Sequence, residues 1–420
     1  MPMAPNPMTR FGHMPGLRAP TERQSRLMAL AADLAERFDA RVADNDAASR
    51  FPLGNYADLR DSGYLRLALP ERYGGEGVDL FDMVLAQEVL ARGDASTALV
   101  CGMNLALMGR VVDGAAWPEP VLAGIAATLA RDGGAINNCV TEPELGSISR
   151  GGLPSMRAER TPGGWRLTGR KIFITGAPVL RFLLTAVVLP PGDGAPDGEL
   201  VNAIVESGTP GLSIENTWAG ALGLRGCGND DVVYDGVFVP DERIVERLTI
   251  GQPRRAQGGS AWNLVLAAVA LGVGQAACDA ASHYANNRAP AALGQPIAGQ
   301  PHVQQWIGRM DVTLRGTRVV LHDAARAASS GALPADEVAA TVAAVKHLCT
   351  NAACSVTETA LRVAGGFSMT RALPLERYFR DARGGLFQPP QDDLALMLLG
   401  RAALAAERTR TETTQGSQPS

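Results

Sequence analysis

The order in which two hydrophobic periodicities follow each other constrains the fold of this chain most strongly. Residues 21–134 carry apolar side chains at helical spacing, and residues 249–410 return to that spacing. Between them, residues 135–248 hold short β-type runs separated by turns rich in Gly, Pro and Asp. The pattern predicts an α+β protein with an N-terminal helical domain, a middle β-sandwich or β-barrel domain and a C-terminal four-helix bundle. Proline-rich residues 1–20 are predicted to be a disordered arm and residues 411–420 a disordered tail.

The apolar runs within these parts predict particular elements. The stretch "SAWNLVLAAVALGVGQAACDAASHYANNR" is apolar nearly all round, so we expect a bundle helix that is buried on most sides. Three more helical stretches complete the predicted bundle: His302–Ser329, Ala335–Ala364 and Asp392–Arg410. The middle part is predicted to form a small antiparallel domain from the runs "AINNCVTE", "GWRLTGRKIFIT", "FLLTAVVL", "VNAIVE" and "DDVVYDGVFV".

Charge and cysteine usage exclude several classes of function. The net charge of −4 and the pI near 5.8 argue against nucleic acid as a partner. Six scattered cysteines without a Cys-x-x-Cys motif indicate reduced thiols in a cytoplasmic protein, and the five histidines show no metal-ligand spacing. The longest apolar run, Leu264–Val273, is too short to span a bilayer, which needs about twenty residues.

Five segments in a fixed order carry a family resemblance. The chain resembles the acyl-CoA dehydrogenase superfamily from about residue 25 to residue 408. The segments are "LPERYGGEGVDLFDMVLAQEVLARGDAS", "CVTEPELGS", "LTGRKIFITG", "GLRGCGNDDVVYDGVFVPDERIV" and "RVAGGFSMTRALPLERYFRDARGGL". The resemblance implies the superfamily fold, an FAD cofactor and a homotetramer in which neighbouring subunits share the FAD. It further implies an acyl-CoA or other acyl thioester as substrate and an acceptor such as an electron-transfer flavoprotein.

The resemblance also assigns roles to individual residues. Thr141 matches the threonine at the pyrimidine end of the flavin, Thr175 the one beside N5, and Phe173 an aromatic residue that flanks the ring. Arg288 matches an arginine that reaches a pyrophosphate across the subunit interface, and Arg362 stands where a glutamine is usual. The complete set implied to bind FAD is Asn138, Val140, Thr141, Gly146, Ser147, Phe173, Thr175, Arg288, Arg362, Gly365 and Gly366.

The catalytic carboxylate of the family has no counterpart at either of its two usual positions. Dehydrogenation of an acyl thioester needs a base for the α-proton, and a positioned base contributes roughly 10²–10⁴ in rate. The two positions correspond here to Pro389 and Trp262, and Asn263 replaces a frequent arginine. Asp392 and Asp393 follow one turn after Pro389 and are the candidate relocated bases, although the same pair is typical of a helix N-cap and first turn.

Three functions are compatible with this pattern. The first is an FAD-dependent desaturase of acyl thioesters that uses an atypical base. The second is a flavin-dependent monooxygenase on the same fold, which needs no base for an α-proton. The third is a non-catalytic subunit that stabilises an active partner.

Overall fold

The order of helices, strands and helices that the periodicities predict is present in the fold. The computed structural model describes residues 20–145, 152–192, 198–250, 261–335 and 337–416. The predicted arm lies outside these ranges except for its last residue, and so do the last four residues of the predicted tail.

The N-terminal part is helical, as predicted. Thr21 caps the first helix, because its hydroxyl accepts from the Gln24 N–H while the Gln24 side chain accepts from the Thr21 N–H. Asp79 and Asp94 cap two later helices, because their side-chain carboxylates accept from backbone N–H groups of the first turn. The helices described in this part are α1 Glu22–Ala47, α2 Leu53–Asp61, α3 Leu80–Leu90, α4 Ala95–Asp113 and α5 Glu119–Asp132.

The middle part is a β-sandwich of two four-stranded sheets, with strand orders β1-β4-β5-β8 and β2-β3-β7-β6. Apolar residues of both sheets share one core, in which the hydroxyl groups of Thr185 and Tyr234 lie 2.7 Å apart. The described strands are β1 Ala135–Cys139, β2 Arg157–Thr161, β3 Gly164–Ile174, β4 Leu180–Leu189, β5 Glu199–Glu206, β6 Leu212–Glu215, β7 Asp230–Pro240 and β8 Ile244–Thr249.

Two features of the sandwich differ from the sequence prediction. The sheets are not wholly antiparallel, because β1 and β4 pair in parallel. The chain leaves the first sheet after β1, builds β2 and β3 in the other sheet and returns, so β4 can run in the same direction as β1. Strands β2, β6 and β8 were also missed. The first two lie largely on the surface and β8 carries charged residues, so none has the apolar pattern of a core strand.

The C-terminal part is the predicted bundle with two short connecting helices added. Helix α6 is buried on most sides, as its composition predicts. The last helix runs past the predicted boundary at residue 410, because residues 411–415 contain neither Gly nor Pro. The described helices are α6 Leu264–Asn287, α7 Pro301–Ser329, α8 Val338–Ala364, α9 Leu375–Ala382, α10 Gly384–Phe387 and α11 Asp392–Gly416.

Two helical segments, Ala95–Asp113 and Ala261–Asn287, are long and apolar enough to cross a bilayer by length and composition. Most of each segment is buried inside the protein, where α4 and α6 pack against each other in the largest apolar core. A buried core helix passes the same test of length and composition, so these segments are weak evidence for membrane insertion.

A buried polar network joins the N-terminal helices to the bundle. The Arg318 side chain on α7 donates to Glu88 on α3 and to Gln275 on α6, each over 2.8 Å. His322 Nε2 lies 3.1 Å from the second carboxylate oxygen of Glu88. Burial alone raises the pKa of Glu88, but the charge of Arg318 and the hydrogen bond with His322 outweigh it and lower that pKa to about 2.

We predict that Glu88→Gln destabilises the protein by about 3–5 kcal/mol at pH 7, because it leaves Arg318 buried without its counter-charge. The folded-state pKa of Glu88 lies below the unfolded value of about 4.3, so ionised Glu88 makes its full contribution to the free energy of unfolding above that pH. This contribution should shrink as the pH falls from about 4.3 toward 2. Urea unfolding of both proteins across this range measures the difference.

Asp311→Asn is the control for this substitution, because the Asp311–Arg315 pair is exposed and should contribute at most about 1 kcal/mol. An equally small effect of Glu88→Gln, or one that does not change with pH, would contradict the structural role of the network.

Candidate functional site

A buried ion pair fixes the loop after β1 against strand β3. Lys171 Nζ lies 2.6 Å from Glu142 Oε1, and both side chains are almost completely buried. The other Glu142 oxygen accepts from the N–H and the hydroxyl of Ser155. Burial lowers the pKa of Lys171, whereas Lys171 and Ser155 together lower the pKa of Glu142 in spite of its burial. The pair therefore connects two of the sequence motifs, "CVTEPELGS" and "LTGRKIFITG".

Strand β3 is irregular where it carries the predicted flavin residues. Its pairing with β7 shifts register between Lys171 and Ile174, and Phe173 has a φ of 57°. A left-handed conformation at an aromatic residue is strained and often marks a functional site. The Phe173 ring is 59% exposed and meets the Trp218 ring edge-on, with 6.3 Å between the centroids.

Two threonine hydroxyl groups beside this irregularity suit a flavin. Thr141 accepts at its backbone oxygen from the Ile172 N–H over 2.9 Å, which aligns the loop with β3. Thr175 is buried, and its backbone oxygen accepts from the Asn137 side chain over 3.0 Å. Among the described residues, neither threonine hydroxyl has a hydrogen-bond partner. Hydroxyl donors can bond to the polar edge of an isoalloxazine ring. An exposed aromatic ring can pack against its face.

The remaining predicted residues of this segment lie near the same loop. Asn138 is exposed, and its N–H donates to the Asn137 side chain. Val140 is half-buried, and its backbone oxygen accepts from Lys171 over 3.4 Å. Gly146 and Ser147, the predicted pyrophosphate turn, lie outside the described residues.

The residues predicted to serve a neighbouring subunit lie together at one end of the bundle. Arg288 follows the end of α6 and is exposed, with its guanidinium 5.0 Å from the centroid of the exposed Phe367 ring. Gly365 and Gly366 follow the end of α8, and a Cβ atom at either would point into open space. Arg362 pairs over 2.7 Å with Glu358 on its own helix. These residues form an accessible surface rather than a closed site within one chain.

A cavity of about 40 Å³ lies between α4, α6 and α8. Leu99, Leu266 and Val269 provide part of its apolar wall, and Pro389 and Pro390 close another side. Its polar lining residues are Asn263, Lys346, Thr350, Asp381 and Gln388.

The cavity lies against the flavin segment of the sandwich. Leu224 lines the cavity, and its backbone oxygen accepts from the Trp218 indole over 2.9 Å. Trp218 in turn contacts Phe173, so one tryptophan bridges the two regions. Trp218 was missed in the sequence because a single aromatic residue in a polar loop belongs to no periodic pattern.

The two positions at which the family usually carries its catalytic carboxylate are Pro389 and Trp262, and only Pro389 lies at the cavity. Pro389 lines the cavity, as expected of the first position, and Asn263 lines it from the start of α6. Trp262 is absent from the cavity lining. It packs closely on Gly109 of α4, and its indole donates to Asp113 over 2.6 Å. Trp262 therefore makes a structural contact with α4 and does not line the cavity.

The candidate relocated bases begin helix α11. Asp392 Oδ2 accepts from Asn351 over 2.9 Å, and Oδ1 lies 3.1 Å from His347 Nδ1. Burial raises the pKa of Asp392, but the hydrogen bond from Asn351 and the interaction with His347 outweigh it and lower that pKa below its ordinary value. Neither Asp392 nor Asp393 is among the residues that line the cavity. Their assignment as bases stays a prediction.

Asp381 is a carboxylate that the cavity does contain. Burial raises its pKa to about 6, against the nearby charge of Arg377. Its Oδ1 accepts from the Leu224 N–H over 2.7 Å, and the adjacent Arg380 donates to Asp46 on α1 and to the Leu222 backbone oxygen. Asp381 therefore joins the β domain to the bundle, and this contact accounts for its burial.

The chain matches three consecutive family domains. They are the acyl-CoA dehydrogenase N-terminal domain at residues 21–116, the middle domain at residues 137–237 and the C-terminal domain at residues 263–404. The chain belongs to the acyl-CoA dehydrogenase family. It is accordingly a flavin-dependent oxidoreductase of the acyl-CoA dehydrogenase type, with the fold that the resemblance implies.

Individual relatives cover nearly the whole chain. A putative acyl-CoA dehydrogenase, YdbM, from Bacillus subtilis (strain 168) is 37% identical over 91% of this chain and 97% of its own length. A 3-sulfinopropanoyl-CoA desulfinase from Paraburkholderia xenovorans (strain LB400) is 31% identical over the same shares. The solved butyryl-CoA dehydrogenase from Megasphaera elsdenii superposes with a TM-score of 0.81 at 23% identity, covering 92% of this chain and 100% of that one.

We predict that Thr175→Val weakens FAD binding by roughly 0.5–1.5 kcal/mol, because it removes a hydroxyl donor and keeps the branched shape of the side chain. Titration of apoprotein with FAD, followed by flavin fluorescence, measures the change. Thr185→Val is the control, since its hydroxyl is bonded to Tyr234 inside the sandwich. Equal FAD affinities of wild type and Thr175→Val would remove Thr175 from the flavin site.

Proposed function

We propose that the protein binds FAD and oxidises an acyl-CoA thioester at its α,β-carbons. The observation that carries this proposal is the series of contacts from Phe173, on the strand just before Thr175, through Trp218 and Leu224 to the cavity that Pro389 lines. A bound flavin supplies an acceptor for hydride. The chain supplies donors at the flavin edge and an apolar pocket that excludes water from the acyl group.

The two curated relatives support a thioester substrate. Both are named for acyl-CoA chemistry, one as a dehydrogenase and the other as a desulfinase of an acyl-CoA. An electron-transfer flavoprotein is our proposed acceptor of the electrons. A cytoplasmic location is proposed because all six cysteines are free thiols, as expected in a reducing compartment.

Because proline occupies position 389, we make a specific prediction about the rate of flavin reduction. Wild-type flavin should be reduced slowly by acyl-CoA under anaerobic conditions, because Pro389 offers no carboxylate to the α-proton. Pro389→Glu should accelerate this reduction by roughly 10²–10⁴, the contribution of a positioned base. Stopped-flow absorbance of the flavin with butyryl-CoA, hexanoyl-CoA and glutaryl-CoA measures the rates.

Pro389→Gln is the matched control, because it has the size of glutamate without the base and should not accelerate the reaction.

Asp392→Asn and Asp393→Asn test the relocated bases, and loss of flavin reduction in either variant would identify that residue as essential to flavin reduction. A wild type that reacts as fast as Pro389→Glu would show that the base lies elsewhere. If no acyl-CoA reduces any of these proteins, dehydrogenation is the wrong reaction. The flavin monooxygenase is then tested with externally reduced flavin and O₂.

We also propose a homotetramer, in which Arg288 serves the FAD of a neighbouring subunit. Exposed apolar side chains on α7 and α11 support this assembly: Val312, Val319, Leu396, Met397 and Leu404. Light scattering should give four times the monomer mass. Arg288→Ala should keep that mass and weaken FAD binding by about 1.5–3 kcal/mol, the value of a charged hydrogen bond.

Arg131→Ala is the control for this substitution, because Arg131 is exposed on α5, outside the proposed interface helices, and pairs with the adjacent Asp132. It should change neither the mass nor the affinity for FAD. A monomer that binds FAD with full affinity would exclude a cofactor shared between subunits.

A further inference from the structure

The cavity contains a lysine that the proposed reaction does not use. Lys346 lies on α8 with Val342 one turn before it and Thr350 one turn after, so all three share the face that lines the cavity. Only 7% of its surface is exposed. Its Nζ is inaccessible to solvent, and among the described residues no acceptor bonds to it.

Among the described residues, no carboxylate lies within ion-pair distance of this ammonium group. Asp381 lines the same cavity, but its carboxylate accepts from Leu224 and lies near Arg377. Asp392 acts electrostatically on Lys346, and its Oδ1 has no hydrogen-bond partner among the described residues, but the two side chains lie too far apart to form an ion pair. Within the described ranges, Lys346 forms no ion pair.

An unpaired buried ammonium costs several kcal/mol, so its presence in a ligand cavity points to an anion that the ligand brings. Burial lowers the pKa of Lys346, and Asp392 opposes that change. The neighbouring polar lining residues Thr350, Asn263 and Gln388 can donate further hydrogen bonds to the same anion. The cavity volume of about 40 Å³ suits a short acyl chain better than a long one.

We propose that the substrate is a short acyl thioester with a second anionic group, a carboxylate or a sulfinate, and that Lys346 binds this group. The inference rests on the proposed function, because it assumes that the acyl group enters this cavity. Both anions present oxygen acceptors to the ammonium group, so they share the chemistry of recognition. The sulfinate is the group that the named Paraburkholderia relative handles.

Calorimetric binding to the FAD-loaded protein tests this specificity without requiring turnover. The anionic probes are glutaryl-CoA and 3-sulfinopropanoyl-CoA. Pentanoyl-CoA and the monoamide of glutaryl-CoA, whose acyl groups carry no charge, serve as the uncharged ligands. Wild type should bind at least one anionic probe about tenfold or more tightly than the uncharged ligands. The better of the two anionic probes identifies the group, and equal affinity for both supports recognition of either.

Lys346→Met keeps the length of the side chain and should reduce the ratio of the two affinities to about one. Lys346→Arg should retain part of the preference. Thr359→Val, on the same helix but outside the cavity lining, should keep the preference, because the Thr359 hydroxyl donates to the Ser355 backbone oxygen. Lys346→Met should also melt no lower than wild type, since it removes an unpaired buried charge.

An equal affinity of wild type for charged and uncharged ligands would overturn the proposal, and so would a preference that survives in Lys346→Met. A lower melting temperature of Lys346→Met with unchanged selectivity would assign the lysine a structural role instead. Anionic preference without flavin reduction by any acyl-CoA would contradict the proposed dehydrogenation while supporting the role of Lys346.

Discussion

The Lys171–Glu142 ion pair is the interaction on which the flavin segment depends. It is buried in the sandwich and ties the loop that carries Thr141 to the strand that carries Phe173 and Thr175. Removing either partner would leave a charge in an apolar core, a loss of about 3–5 kcal/mol. The Thr-Glu-Pro and Gly-x-Lys portions of the two sequence motifs therefore have a physical reason to occur together.

From this segment a series of contacts leads to the acyl cavity. Trp218 contacts Phe173 on one side and bonds to Leu224 on the other, and Leu224 is held in turn by Asp381. A change in any of these residues would alter the position of the strand relative to the cavity. The same cavity has a proline where the family base is expected and an unpaired lysine on its helical wall. These two residues are the basis of the proposal that the substrate differs from a plain fatty acyl chain.

The sequence predicted the order of domains and the long helices because both depend on apolar periodicity. It also singled out Pro389, through the distance from the Arg-Asp-Ala-Arg motif, and Pro389 lines the cavity between α4, α6 and α8. It did not predict the parallel β1–β4 pair, which depends on how the chain crosses between sheets. Lys346 was missed although a signal existed, namely a lysine on the otherwise apolar or small face of a predicted core helix. Trp218 offered no such signal, since only the folded loop brings it to Phe173.

The central claim is that the flavin-facing donors are retained while the base position is empty. A crystal structure of the protein with FAD and a non-reactive glutaryl-CoA analogue tests it most directly. The account predicts a hydrogen bond of about 2.7–3.2 Å from the Thr175 hydroxyl to the flavin edge, Pro389 facing the α-carbon, and the distal carboxylate on Lys346. A flavin bound away from Thr175, or an α-carbon bound away from Pro389, would contradict it.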